Sequence, residues 1–551
     1  MRRRQFLAAG FSLASAHAVT PVSAALHGSM LTAADSATRA AGADLRRSRG
    51  GTLTSLDPHR LTSSLDAEMA AELFVGLTTT DARGRLVPGC AARWTASADG
   101  LRWQFTLRPD CRWSDGRELL AADFVYALRR FLAPGTGATL AFRLDAVRNA
   151  RAIRVGKLAP EMAGVAAPDE RTVAFTLEHP ETDLPGLLAV VYPVPRHVIA
   201  ARGRDWAKPA FIATNGAFGV RAWAQNGNVT LDRNPHFWEA ARVAPAMVTW
   251  VLGVDDSTRV RMFRSGELDL ATITDGTSLA LAKRDHESAL RSVPAWSAGW
   301  IGINTRRGKL AEPAVRRALA MSIDREALAQ KVRQLDERPW TSIMPAAVTG
   351  YGMPLLPEYA AWPAAERLQV ARRLLATHGI GINNRMPLRA VFSANPVTQR
   401  TFLAIAAMWR PLGVDVELVG LETRAYSIRL RSGDYDLQDY VPFATIQTPA
   451  TFIGRFASDS FLNFMYYRNT DVDGWIAAGD RAADAAQRIT AYRRVERQLL
   501  VDCPVIPLYS GVTHRLVGNR IVGWHDHTAL ATPSRFLIAG DRARRGARAA
   551  S

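Results

Sequence analysis

At 551 residues the chain is too long for a single hydrophobic core, and ordinary domain sizes imply about three units. Of its residues 48% are apolar, yet no internal run is long enough to span a membrane, which excludes a bundle of transmembrane helices. The net charge of +18 invites a nucleic-acid partner, but its placement speaks against one. Arg2, Arg3 and Arg4 crowd one end, and Arg542, Arg544, Arg545 and Arg548 the other. The rest is arginine dispersed over predicted helices, with no basic stripe interleaved with aromatics and no helix-turn-helix or zinc-finger spacing. A solvated basic surface results, with weak attraction for acidic partners or membranes.

In chain order, the three arginines precede an apolar, small-residue run from Phe6 to Ala18, with cleavage sites after Ala18 or Ala24. Residues 1–24 thus have the form of a signal peptide. Arg3-Arg4-Gln5-Phe6-Leu7 ahead of a modestly hydrophobic core resembles a twin-arginine signal, which implies export of a folded chain. No cysteine precedes Cys90, so a free periplasmic protein without a lipid anchor is expected. Residues 25–45, rich in Ala, Ser and Thr, read as a disordered N-terminus, and 542–551 as a disordered basic tail. Cys90, Cys111 and Cys503 are too scattered for a metal cluster, and no cofactor is expected. Cys90 and Cys111 flank a predicted hairpin, so a disulfide between them fits the spacing.

Order begins near Gly50 with a strand, a turn at Asp57-Pro58 that includes His59, and a helix with Met69, Leu73 and Phe74 on one face. Leu101, Trp103, Phe105 and Leu107 alternate with polar residues as a half-buried strand fed by the turn Ala98-Asp99-Gly100. The spacing predicts a helix over Ala121 to Leu132 and another strand at Thr172 to Leu177. Further on, Gly266 ends a helix carrying Val260 and Phe263, Pro313 starts one, and Asp324 caps the next. Pro363 and Gly379 bracket a helix with Leu368, Ala371 and Leu375 inward, and Arg488 to Asp502 forms another around Tyr492, Val495 and Leu499. Between them, Asp434 to Phe452 reads as a short strand running into an irregular loop, since Pro442 and Pro449 forbid regular ladder bonding. That loop holds Tyr, Phe, Thr and Gln but no Lys or Arg, a lining suited to sorting ligands by shape and hydrogen bonds.

Several runs carry a resemblance in register. Leu56-Asp57-Pro58-His59, Trp113-Ser114-Asp115-Gly116, Thr214-Asn215-Gly216-Ala217-Phe218, Phe263-Arg264-Ser265-Gly266-Glu267-Leu268-Asp269, Arg316-Arg317-Ala318-Leu319 and Pro504-Val505-Ile506-Pro507-Leu508-Tyr509 are among them. From about residue 50 to 540 the chain resembles the bacterial periplasmic oligopeptide-binding proteins, the family 5 solute receptors of ABC importers. The resemblance implies an α/β, two-lobed periplasmic-binding-protein fold with a hinge and an additional domain inserted in the first lobe. Mapped by its motifs, the first lobe takes 46–84, 211–296 and 511–541, the additional domain 85–210, and the second lobe 297–510. It also implies capture of a peptide or peptide-like solute between closing lobes by a monomer, and delivery to a membrane permease.

The implied lining departs from the family. In peptide-binding members the stretch aligned with Asp436 to Pro449 carries an aspartate that pairs with the peptide's free ammonium, and the aligned residue here is Thr445. A hydroxyl offers that ammonium no charge, and losing a buried ion-pair partner costs about 3 to 5 kcal/mol. A family arginine falls at Asp439 and a tryptophan-cysteine pair at Pro442-Phe443. Thr272, Ile273 and Thr274, followed by Asp275, replace a Tyr-Asn-Asn run. Thr62 and Ser64 occupy the early lining loop, Thr423 replaces a tryptophan, Leu140 replaces a tyrosine, and Tyr509 matches an aromatic. This leaves two alternatives: Asp439 or Asp275 takes over the ammonium, or the ligand lacks a free amino group, as in a blocked peptide, a glycopeptide or a sugar.

No HExxH, GxSxG, Walker or dinucleotide motif is present, so an enzyme is not expected. The close pair His525-Asp526-His527 reads as a solvated loop. A ligand-sensing module without a transport role shares every feature above.

Overall fold

A computed structural model describes residues 43–138, 140–224, 227–348, 350–443, 448–482, 484–528 and 532–540. The signal segment 1–24, residues 25–42 of the expected disordered stretch and the tail 542–551 lie outside the described residues. That stretch does not extend to 45. Leu45 opens the first strand, Leu45–Ser48, and is fully buried, because its backbone pairs with Val248.

Leu45–Ser48 runs parallel to Met247–Val251 on one side and Leu270–Ile273 on the other. Val229–Arg233 and then Phe218–Trp223 extend this half antiparallel. In the other half, Met386–Ser393 lies between Val414–Leu421 and Leu437–Tyr440, parallel to both. The halves are joined by two strands, Leu290–Ile303 with 14 residues and Val505–Val517 with 13. Both exceed the usual strand length because each is used twice, once in either half, giving one sheet of eleven strands.

The pairing of these long strands breaks where the lobes meet. Pro294 faces Val512 and Ala298 faces Ser510, so residues 295–297 bulge opposite Gly511 alone. A Cβ on Gly511 would sit 2.2 Å from Ser297 Oγ, so a larger residue there would have to displace that side chain. Such a bulge bends both strands and forms the hinge.

The inserted segment contributes its own sheet, ordered Ala91–Ala96, Arg102–Leu107, Thr172–Thr176, Val165–Asp169. The helix Ala121–Leu132 buries Phe124, Leu128 and Leu132 in a cluster with Val173 and Phe175. The same cluster continues into Leu73, Phe74 and Val248, so the insertion and the first lobe share one core. The Asp57-Pro58-His59 turn staples them together. Arg130 pairs with the Asp57 carboxylate and donates to His59 Nδ1 (2.8 Å), while His59 Nε2 meets Tyr192 O (2.9 Å). Burial and the Arg130 charge push His59 down to about 4, so it stays neutral and structural.

All three cysteines are buried thiols, and the Cys90–Cys111 disulfide is not formed. Cys90 Sγ lies 3.5 Å from Val75 O, and Cys111 Sγ 3.7 Å from Cys90 O.

The lobes touch on both sides of the hinge. On one side the start of helix Gly276–Asp285 packs on Arg333 and Gln334, Lys283 pairs with Asp336 (2.6 Å), and Leu335 and Val397 join the cluster of Val260 and Leu279. On the other, Arg151 pairs with Asp459, and Arg488 meets Asp183 (3.4 Å) and Thr182 (3.0 Å). The cleft is therefore closed.

Candidate functional site

The first wall forms where the parallel strands of the first lobe end, the usual ligand edge of an open α/β sheet. Arg259, from helix Asp256–Arg264, donates Nε to Thr272 O (3.0 Å) and pairs with Asp256. Asp256 in turn accepts the backbone amides of Thr274 and Asp275 and the Thr274 hydroxyl (3.1 Å). This buried pair fixes the turn at Thr272 to Asp275 in place. Ile273 points away from it into the core beside Val260 and Leu279. The Asp275 carboxylate caps the next helix, accepting from Ser278 N (2.9 Å). Thr62 donates its amide (3.0 Å) and hydroxyl (2.9 Å) to Asp66, and Ser64 Oγ accepts from Arg49 (2.5 Å), itself paired with Glu68. Burial and the neighbouring charges of Arg515, Arg47 and Arg259 push Arg49 down to about 9.

The second wall is the strand Leu437–Tyr440 together with residues 441–443 at its end. Asp439 stands opposite Ile301 and Tyr440 opposite Trp300, so their side chains leave by opposite faces. Asp439 shares a cavity with Gly299, Arg333, Thr398, Thr401 and Tyr509, with room for about one water molecule. The Tyr509 ring covers Gly299, where any Cβ would collide with it, and Arg333 lies 4.0 Å over that ring. Arg333 also forks onto Glu337 (2.5 and 2.8 Å) and donates to Thr401 (3.1 Å).

Burial raises the Asp439 carboxyl to about 6, against the opposing pull of Arg333 and Thr398. Because folding raises this pKa, the folded chain keeps a proton that the unfolded chain has lost between about pH 4 and 6, and stability falls as pH rises through that window. The melting temperature of Asp439→Asn, minus that of the parent, is expected to climb over the same window. A difference flat with pH would mean that the carboxyl titrates normally.

Beyond the strand, Pro442 O accepts from Ala298 N (3.2 Å) and Phe443 bridges to Ser297, which places these two residues against the hinge. Thr445 lies outside the described residues. Thr423 is exposed in the first turn of helix Thr423–Ser432, whose cap is Glu422. Leu140 is half-buried at the start of the turn Ala141–Leu144.

The side chains that organise both walls are arginines that no motif singled out: Arg49, Arg259, Arg333 and Arg455. A basic chain hides them among solvated arginines. The one local signal is at Arg455, a lone charge within the apolar run Phe452-Ile453-Gly454-Arg455-Phe456.

Two lobes hinged on a shared strand pair and closed over polar walls define a solute-binding protein. Residues 85–463 match the family described as bacterial extracellular solute-binding proteins, family 5 Middle. The chain belongs to that family, and it is a binding protein and not an enzyme. It is 30% identical over 486 residues to the periplasmic oligopeptide-binding protein OppA of Salmonella typhimurium, covering 87% of this chain and 89% of OppA. It is 31% identical over 478 residues to the probable deoxycholate-binding periplasmic protein YgiS of Escherichia coli, covering 86% and 89%. Among solved structures, the Escherichia coli murein tripeptide binding protein MppA matches with a TM-score of 0.86 at 27% identity, covering 91% of this chain and 99% of MppA. The unliganded open form of MppA matches with only 0.67, at 26% identity over 91% and 98%. That difference agrees with the closed lobes described above.

Proposed function

We propose that the chain is the periplasmic receptor of an ABC importer, taking a peptide or peptide-like solute that is read by backbone and shape, and not by its amino end. The observation that carries this reading is the engagement of both candidate carboxylates. Asp275 caps a helix, and Asp439 lines a small cavity together with Arg333. The peptide-binding names of OppA and MppA support a peptide-like solute. Delivery to a permease would follow recognition of the closed form.

A second reading, a solute that is not a peptide, is compatible with the same engaged carboxylates and is favoured by the name of YgiS. Export by the twin-arginine route and a monomeric state belong to the proposal. The arginines at positions 2–4 support the first. Among the described residues no helix is long and apolar enough to cross a membrane.

Calorimetry with tri-alanine and N-acetyl-tri-alanine tests the reading. Affinities within threefold of each other are expected. A free form that binds more than tenfold tighter would mean that a carboxylate reads the ammonium, and Asp439→Asn would identify it by abolishing the preference.

A further inference from the structure

The helix Ala121–Leu132 turns Phe124, Leu128 and Leu132 into the core and presents another side outwards. Ala122, Tyr126 and Arg129, spaced by four and three, form that side, and Ala133 continues it just past the last turn. They share a groove of about 530 Å³ with Ala166 and Ala167 of the strand Val165–Asp169 and with Arg196 of the helix Arg196–Arg202. A volume of this size suits one small organic molecule. Alanine at Ala122, Ala133, Ala166 and Ala167 leaves the space, since a bulky side chain at any of them would fill it. Every lining residue falls between Ala122 and Arg196, so the second lobe contributes none and closing of the cleft does not build the groove.

The charge in the groove is one-sided. Arg130 lines it as well, but its guanidinium is committed to Asp57 and His59. Arg129 and Arg196 pair with no acid among the described residues, and Glu161, exposed at the edge of the groove, pairs with neither. Asp115, which reaches the helix of Arg196, is taken up there by His197 (2.7 Å). Arg129 differs from a solvated surface arginine. It is partly buried, and its Nε is enclosed without a protein acceptor. A cation withdrawn from water with no acid opposite it is costly, and an anion beside it would offset that cost.

We propose that this groove is a second binding site, separate from the cleft, for a small carboxylic acid with an apolar body. Arg129 and Arg196 hold the carboxylate, whose two oxygens match the guanidinium fork. The body lies along the Tyr126 ring and the alanines. Glu161 repels a second negative charge, so a monoacid is preferred to a diacid.

NMR titration of the protein with 4-phenylbutanoate and with 4-phenylbutanamide, its uncharged counterpart, tests the site. The acid is expected to bind about fivefold tighter than the amide or more. Arg129→Met and Arg196→Met should each weaken the acid by about threefold or more. Ala166→Trp, at an exposed strand position, should abolish binding by filling the groove. Gly276→Val, at the contact between the lobes, should leave binding of the acid unchanged. Acid and amide that bind alike, an acid that does not bind, or groove variants that hold it within about twofold of the parent would overturn the site. Binding lost in Gly276→Val and kept in Ala166→Trp would put the acid in the cleft, which overturns the groove and leaves the receptor reading standing. Should one arginine variant not fold, the other and Ala166→Trp decide.

Discussion

Gly276→Val is expected to leave the protein folded and to lower solute affinity at least tenfold. Gly276 is the first residue of the helix Gly276–Asp285 in the first lobe, and its backbone has an ordinary, non-left-handed conformation. A valine is therefore acceptable to that lobe alone. In the closed arrangement, however, a Cβ there would lie 2.6 Å from Gln334 Cβ, 2.7 Å from Arg333 O and 2.8 Å from Gln334 O. Two of these three atoms are backbone and cannot swing aside. The clash exists only when the lobes meet, so it raises the energy of the closed form and not of the open one. Apparent affinity drops by the factor lost from the closed population. Calorimetry beside a thermal melt reads both halves of this expectation, and Gly276→Ala should fall between parent and valine. Unchanged affinity with an unchanged melt would mean that solute binding does not need this contact.

Arg47→Met carries the largest expected effect on stability, a loss of about 3 to 5 kcal/mol. Arg47 is 6% exposed and Glu72 2% exposed. One guanidinium nitrogen serves Glu72 (3.0 Å), Thr532 O (3.0 Å) and Ser534 Oγ (2.9 Å), and the group lies 4.1 Å over Trp250. Glu72 also accepts from Ser534 N (3.1 Å) and Oγ (2.8 Å). The network fastens the returning C-terminal segment to the first strand and the first helix. Removing the arginine leaves a buried carboxyl whose pKa burial already raises. Urea unfolding measures the loss, and adding Glu72→Gln should recover part of it, since no charge then remains uncompensated. A change below about 0.5 kcal/mol would place the network outside the cooperative unit.

Much of the fold was legible because its signals are local. The alternation around Trp103 and Phe105 yields the strand Arg102–Leu107, the helix Ala121–Leu132 has its expected bounds, and Asp324 caps where expected, accepting from Ala327 N (2.9 Å). Leu45–Ser48 was not legible, since Leu-Arg-Arg-Ser has no strand pattern and owes its conformation to neighbours some 200 residues away. The site was harder for the same reason. Asp275 comes directly after the lining turn in sequence, yet the start of a helix engages its carboxylate. His59 reads as a turn residue and is one, but its burial depends on Tyr192 and Arg130.

Capture of a solute requires that its arrival close the two lobes about the bulge at residues 295–297. Small-angle scattering of the protein, with and without a saturating solute, is the decisive measurement. A smaller radius of gyration is expected with solute, and no such contraction in Gly276→Val. Equal radii with and without a solute that calorimetry finds bound would contradict lobe closure.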